Sequence, residues 1–311
     1  MPRALVRTVL LPAVVATLAS CAASPRASLD ALPQQLADLE RARGGRLGVA
    51  VLDTADGSVR GHRLDERFAL CSTFKLVLAA MVLERAAHGG RALDERLRIE
   101  AGDLLSHAPV TRAAVEAAAA RGSAVGEASL AELAEAVQTK SDSSAANLLL
   151  RDLGGFAAFH AFCRAHGDVV TRLDRFEPEM NDVRPGDERD TTTPRAYAQL
   201  VATLFGGGLA PASRQTLRQW MFATATGAGR VRKGLPPDWP AGDKTGTGGG
   251  GDVTVKCNDV VWLEPPGRAP LVVVVYYDSG VVADWPSETD EDVLAEVGRL
   301  VAHAVRTART P

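Results

Sequence analysis

The chain has 311 residues, 46% of them hydrophobic and 23% charged, a balance that excludes a disordered or fibrous protein and provides for one or two packed domains. The formal net charge is −3 without blocks of like charge, so nothing suits a nucleic-acid backbone or an anionic membrane and no nucleic-acid partner is expected. Four cysteines are too few for a disulfide scaffold, and the six histidines show neither HExxH spacing nor a nearby cysteine pair, so neither a metal nor another cofactor is expected.

The chain begins with an address. Arg3 and Arg7 precede an apolar run from Val9 to Leu18 and the small residues Ala19 and Ser20, the layout of a secretory signal peptide over residues 1–21. Leu18-Ala19-Ser20-Cys21 also resembles a bacterial lipobox, so a lipid anchor at Cys21 and ordinary cleavage near Ala22-Ala23-Ser24 stand as open alternatives. Either way an exported protein is expected, in the periplasm or cell envelope, touching the membrane only through an anchor at Cys21.

Helical spacing covers Leu32 to Arg43, and two strand-like runs, Arg46 to Asp53 and Val59 to Leu64, are joined through Asp56-Gly57 as a hairpin. Ser72 to Leu83 is apolar almost all round and predicts a buried helix. Ser129 and Glu132 form a capping box ahead of Leu130, and Thr193-Pro194 opens a further helix with a cap and a first-turn proline. Phe156, Phe159, Phe162, Cys163 and His166 recur at helical spacing as a core stripe. Between Arg175 and Asp190 no period is visible, but Phe176 and Met180 beside charged ends predict a packed Ω-loop. Val253 to Leu263 and Leu271 to Tyr277 read as strands, and Glu291 to Arg309 as a closing helix. A sheet whose strands come from both ends of the chain implies an α+β domain interrupted by an all-α insertion.

Four short constellations carry chemistry. Ser72 and Lys75 share a helix face, so the amine can reach the hydroxyl and take its proton; a Ser cap with a solvated Lys is the structural alternative, disfavoured by the apolar helix around it. Ser141-Asp142-Ser143, followed by Asn147, reads alone at least as well as a helix cap. Glu177 and Asn181 place a carboxylate and an amide where they could hold one water between them. Lys244-Thr245-Gly246-Thr247-Gly248 enters a strand and offers a cation, two hydroxyls and open backbone to an anionic substrate, or else forms only a Gly-rich turn.

In this order, Ser-x-x-Lys, Ser-Asp-x, Glu-x-x-x-Asn and Lys-Thr-Gly resemble the class A serine β-lactamases, and the likeness extends from about residue 30 to the C-terminus, including Arg175, the run Asp187 to Pro194, and Trp239. The resemblance implies an antiparallel five-stranded sheet flanked by N- and C-terminal helices. It further implies an α/β domain of residues 28–65 plus 223–311 and an all-α domain of residues 66–222 containing the Ω-loop 175–190. It implies hydrolysis of β-lactam substrates by a monomer. Ser72 would form the acyl-enzyme, Lys75 and Glu177 would share proton removal, and Glu177 with Asn181 would activate the deacylating water. Ser141 would relay a proton to the departing nitrogen, while Lys244, Thr245, Thr247 and Arg230 would receive the substrate carboxylate. Backbone N–H groups of Ser72 and Thr247 would form the oxyanion hole, Arg175 and Asp190 would close the Ω-loop across a Glu177-Pro178 bond that is usually cis, and Asn147 would support that loop.

Four departures from the family pattern stand out. Ser143 replaces the usual Asn and is too short to bridge Lys75 and a substrate amide together; His107 takes a cleft-rim position where an aromatic is common, as a substrate contact or a surface loop residue. The Gly-rich segment Gly248 to Lys256 is longer than typical, so an irregular start is expected for the strand at the cleft. Cys71 matches a position that some carbapenem-hydrolysing members bridge to a Cys after Lys-Thr-Gly, but the counterpart here is Gly248; Cys163 and Cys257 read as free buried thiols. Two other readings use the same parts: a penicillin-binding DD-peptidase, which would lack the Ω-loop Glu, and a cell-envelope lipoprotein that is acylated without turnover.

Overall fold

The computed structural model describes residues 29–308, so the expected leader and Cys21 lie outside the described residues. Helix α1 (Leu32–Arg43) carries a proline in its first turn and ends at Gly44, whose φ of 75° lets its N–H close onto the Glu40 carbonyl. It is followed by β1 (Arg46–Asp53), β2 (Val59–His62) and β3 (Phe68–Ala69). The turn Cys71–Thr73 then leads into α2 (Phe74–Ala87), β4 (Arg96–Glu100), α3 (Pro109–Ala119), β5 (Val125–Ser129), α4 (Leu130–Thr139), α5 (Ser143–Asp152) and α6 (Gly155–Ala165). The chain continues through β6 (Thr191–Thr192), α7 (Pro194–Thr203), α8 (Pro211–Phe222), β7 (Ala241–Gly250), β8 (Val253–Leu263), β9 (Leu271–Val282) and α9 (Glu288–Ala308).

The main sheet has the order β2-β1-β9-β8-β7, antiparallel throughout, so the last strand of the chain lies at its centre. Alternation explains how the unbroken Val run of β9 is used. Val272, Val274 and Tyr276 join the core shared with α2, α4 and α7, while Val273, Val275 and Tyr277 join a second core with α1 and α9. Both faces of the sheet are therefore dry. Helix α2 is buried at every position from Phe74 to Leu83 and forms the axis of the helical region; truncating Leu76 or Leu78 to Ala would cost about 2–5 kcal/mol.

Several expected boundaries move for local reasons. The helix expected from Ser72 begins as a tight 3-10 turn and becomes α-helical only at Phe74. The closing helix starts at Glu288, three residues before the expected Glu291, because Ser287 and Asp290 cap it: the Asp290 N–H donates to the Ser287 hydroxyl and the Ser287 N–H to the Asp290 carboxylate. Strand β9 runs beyond Tyr277 to Val282. The irregular start expected for the cleft strand is absent: β7 pairs regularly from Ala241 to Gly248, and the register shifts only at its far end, between Gly248 and Gly250. The extra glycines lengthen the hairpin to β8 instead.

The two-residue ladder of β3 with β6 matters most for function, because it ties the end of the Ω-loop to the residues just before Ser72. Within that loop Met180 is fully buried and the Phe176 ring lies 4.6 Å from that of Phe156, so it is a packed body.

Candidate active site

Ser72 sits in the 3-10 turn that opens α2, where Tyr197 fixes the turn by donating its hydroxyl to the Thr73 carbonyl at 2.6 Å. One helical step on, Lys75 is fully buried, and its Nζ stands 2.9 Å from Ser72 Oγ, 2.8 Å from the Ser141 carbonyl and 3.1 Å from Ser143 Oγ. A buried ammonium needs a counter-charge, and Glu177 Oε1 supplies it at 2.8 Å. The Ser72 hydroxyl donates to the same oxygen at 3.3 Å. Burial would raise the Glu177 carboxyl, but the Lys75 charge and hydrogen bonds from Lys75, Asn181 and Ser72 outweigh it and hold the carboxyl below the usual glutamate range.

The short link between α4 and α5 is shaped to deliver Ser141. Its φ of 58° is left-handed, which costs a non-glycine residue about 1–2 kcal/mol, and the cost is met by Asp142. That carboxylate caps α5 at the Ala145 N–H and accepts from the Thr111 N–H and hydroxyl, so it is a structural hub rather than a chemical group of the cleft. Ser141 Oγ is thereby held 3.0 Å from Lys244 Nζ and 3.5 Å from Lys75 Nζ. Ser143 Oγ reaches Lys75, and His107, exposed at the rim, faces the Lys140 carbonyl through Nε2 at 2.9 Å.

The Ω-loop brings Glu177 in from 105 residues away in sequence. Asn147 clamps it twice, donating to the Glu177 carbonyl at 2.8 Å and accepting from the Glu177 N–H at 3.0 Å, and the Glu177-Pro178 bond is cis. Asn181 donates to Glu177 Oε2 at 2.6 Å, and Arg175 Nε meets Asp190 Oδ2 at 2.5 Å where the loop closes.

Strand β7 forms the opposite wall. Its register is pinned from behind, where Gln138 and Thr224 both donate to the Asp243 carbonyl, at 2.8 Å and 2.7 Å. Lys244 is fully buried; burial first, and the charge of Lys75 next, push its amine well below the usual lysine range against the pull of Asp243. Thr245 Oγ1 lies 2.8 Å from Thr226 Oγ1, and Arg230 donates to Thr247 Oγ1 at 2.7 Å while its Nε pairs with Glu291 at 3.1 Å. Ser72, Ser141, Ser143, Glu177, Asn181 and Thr247 thus line one open cleft of about 440 Å³, with His107, Arg230 and Thr245 also on its walls and Trp285, 69% exposed, at its edge.

Cys71, Cys163 and Cys257 are free and buried. A Cβ built on Gly248 would fall 2.9 Å from Cys71 Sγ, and burial pushes the Cys71 thiol up to about 12. Among the described residues no group of three or more His, Cys, Asp or Glu side chains converges as a metal site would.

Several further residues build this site without belonging to any of the four constellations. Asn258 donates to the Ala69 carbonyl at 2.9 Å and so ties β8 to the approach to Ser72, while Asp243, Asp259 and Arg232 lie beneath the Lys-Thr-Gly strand. The available signal was Asn258-Asp259 in the middle of an otherwise apolar strand, where polar side chains must find partners.

A model of the β-lactamase enzyme family matches residues 31–305. The chain is 42% identical over 269 residues to the β-lactamase CTX-M-8 of Citrobacter amalonaticus, covering 86% of this chain and 87% of that one. It is 38% identical over 300 residues to the β-lactamase OXY-1 of Klebsiella oxytoca, covering 96% and 98%. Among solved structures, an ancestral class A β-lactamase superposes with a TM-score of 0.80 at 51% identity, covering 88% of this chain and 99% of its own.

Proposed function

The chain belongs to the β-lactamase enzyme family, as a class A member that hydrolyses β-lactams, and from that premise we propose how its residues divide the reaction. Ser72 Oγ attacks the lactam carbonyl as its proton passes to Glu177, the group to which that hydroxyl already donates, with Lys75 holding the oxygen from the other side. The negative charge on the carbonyl oxygen is met by the backbone N–H groups of Ser72 and Thr247. As the C–N bond breaks, the Ser141 hydroxyl passes its proton to the ring nitrogen and is reprotonated by Lys75, which takes in exchange the proton that Glu177 accepted from Ser72 and so leaves Glu177 a carboxylate again. In the second half Glu177 takes a proton from water held with Asn181, the hydroxide adds to the ester, and Ser72 Oγ leaves with a proton returned to it.

The observation that carries this assignment is the shared contact of Glu177 Oε1 with both Ser72 and Lys75, which puts a base beside the ester as well as beside the nucleophile. A DD-peptidase or a non-turnover binder has no use for that carboxylate. Lys244, Thr245, Thr247 and Arg230 receive the substrate carboxylate; Ser143 and His107 border its other substituent. The working unit is a monomer in which residues 28–65 with 223–311, and residues 66–222, meet at the cleft. Export is directed by residues 1–21, with Cys21 as the site of lipid attachment if the envelope retains it.

Nitrocefin turnover tests the activity: many products per enzyme are expected, and a single equivalent would overturn the hydrolytic role of Glu177. Fractionation of expressing cells, with Cys21→Ala as control, tests the address; wild-type protein wholly soluble and without lipid mass removes the anchor.

A further inference from the structure

Two carboxyls lie together beneath the anion-binding wall of the cleft. Asp243 and Asp259 are both fully buried. In the β7–β8 ladder Thr245 pairs with Asp259 and Asp243 with Val261, which places the two carboxyls diagonally on one face of the sheet. Their outer oxygens are held by consecutive residues of one turn: Arg232 Nε donates to Asp243 Oδ2 at 2.9 Å, and the Val231 N–H to Asp259 Oδ2 at 3.2 Å. Both remaining oxygens, Asp243 Oδ1 and Asp259 Oδ1, are buried without a hydrogen-bond partner. Two such orphans, on carboxyls diagonal to each other on one face of the sheet, are costly separately and would be satisfied together by one hydrogen between them.

We propose that Asp243 and Asp259 share a single proton between their Oδ1 atoms, and that this singly charged pair positions and charges the wall that receives the substrate carboxylate. The proton resides mainly on Asp259, because Asp243 faces the Arg232 guanidinium directly whereas Asp259 accepts only a backbone N–H. Burial, then the charge of Asp243, pushes the Asp259 carboxyl well above the usual aspartate range, while Asp243 rises only to about 6.

The charges packed around the pair show what the proton does. Arg230 and Arg232 of the turn are cationic and Lys244 of β7 is so in its ammonium form, Glu291 of α9 is anionic and bonded to Arg230, and Cys257 of β8, with its thiol raised to about 12 by burial, is neutral. Farther across the cleft, Lys75 and Glu177 offset each other. Three cations would face three anions if both aspartates were ionised. With one proton between them the wall keeps one net positive charge, on the side where Thr245 and Thr247 await a carboxylate. The same pair holds Arg232, which also donates to the Thr226 carbonyl, and so fixes the loop carrying Thr226 and Arg230.

The pair also has a stability signature. For an acid whose pKa rises on folding, the stabilising contribution is complete below the unfolded value and is lost as pH rises through the folded one. Wild-type protein should therefore lose stability as pH rises from about 4 through the raised folded value, and Asp259→Asn should not lose that part.

The test compares Asp259→Asn with Asp259→Ala. An amide can donate to Asp243 Oδ1 and accept from Val231 as a protonated carboxyl does, so D259N should melt near the wild type and D259A well below it. Infrared spectra at neutral pH should show a protonated-carboxyl C=O band in the wild type that D259N lacks. Absence of that band, or D259N and D259A equally destabilised, overturns the shared proton. These readouts do not depend on catalysis. A third measurement rests on the functional reading above: KM for benzylpenicillin should rise at alkaline pH by up to about thirtyfold, the effect of one unit charge roughly 8 Å away at an effective dielectric of about 20, with less change in kcat. In D259N the part of that rise due to the pair should vanish while any due to Lys244 remains; an unchanged KM profile would refute the electrostatic role even if the proton is there.

Discussion

The Glu177 carboxylate and the Lys75 ammonium stand 2.8 Å apart, the amine fully buried and the carboxylate 5% exposed. The Lys75 charge helps hold the carboxylate ionised, and in the proposed mechanism Glu177 serves both halves of the reaction while Lys75 serves chiefly the first. Glu177→Ala should leave a serine that is still acylated, slowly, and an ester that is not cleared. General-base catalysis contributes about 10² to 10⁴-fold, so deacylation should slow by that order, whereas Lys75→Ala should chiefly impair acylation. Stopped-flow bursts with intact-mass detection of the adduct distinguish the two; wild-type steady-state kcat in Glu177→Ala would remove the carboxylate from the mechanism.

The same pair sets the acid side of the pH profile. Because folding lowers the Glu177 carboxyl, its contribution to stability is complete above the unfolded range near about 4.3 and is lost as pH falls through the lower folded value. The acid limb of kcat/KM should accordingly lie below about pH 4.3. In Lys75→Met burial acts without a counter-charge, so the limb of the residual activity should move upward, and removing one partner should cost up to about 3–5 kcal/mol in stability. An acid limb that stays in place would show that Lys75 does not govern this carboxyl.

Ser143 Oγ is committed to Lys75 at 3.1 Å, which leaves a substrate acylamino group without the second contact that a longer amide provides. Ser143→Asn should raise kcat/KM for substrates bearing that group by roughly two- to twelvefold, the worth of a hydrogen bond of about 0.5–1.5 kcal/mol. Comparing benzylpenicillin with a β-lactam that lacks the acylamino group isolates the effect; equal gains on both would show that the substitution acts elsewhere.

The Cβ position of Gly248, 2.9 Å from Cys71 Sγ, matches the separation of about 3 Å between one sulfur and the opposite Cβ across a disulfide. Gly248→Cys should therefore oxidise to a bridge with Cys71. Loop-closure entropy sets a ceiling of about 5 kcal/mol on the gain, and a rise in Tm that dithiothreitol reverses is the expected result. Peptide masses that show Cys71 and the introduced thiol both still free after oxidation would show that the backbones cannot approach.

What was legible in the sequence was local. Ser72 to Lys75 and Glu177 to Asn181 are helix-like spacings, Ser129 with Glu132 and Thr193 with Pro194 are end signals, and each needs only a few neighbouring residues to be read. Asp243, Asp259 and Asn258 were not legible in this way, because their meaning depends on the β7–β8 register and on a turn that folds under it. The glycine-rich hairpin misled for a related reason: composition marked an irregularity, but only pairing located it beyond Gly248, away from Lys244 to Thr247.

The central place of β9 bears on how the molecule comes into being. Residues 46–53 can pair with β2 as soon as they are made, but their other neighbour is residues 271–278, and β8 too has β9 beside it. Until the last eighth or so of the polypeptide has been synthesised, β1 and β8 have no strand between them, and the Val272 to Tyr277 side chains that join the two cores are missing. Completion of the sheet thus comes after synthesis rather than during it. A ribosome-bound nascent chain ending before Leu271 should remain protease-sensitive, a state that also suits passage through a narrow translocation channel.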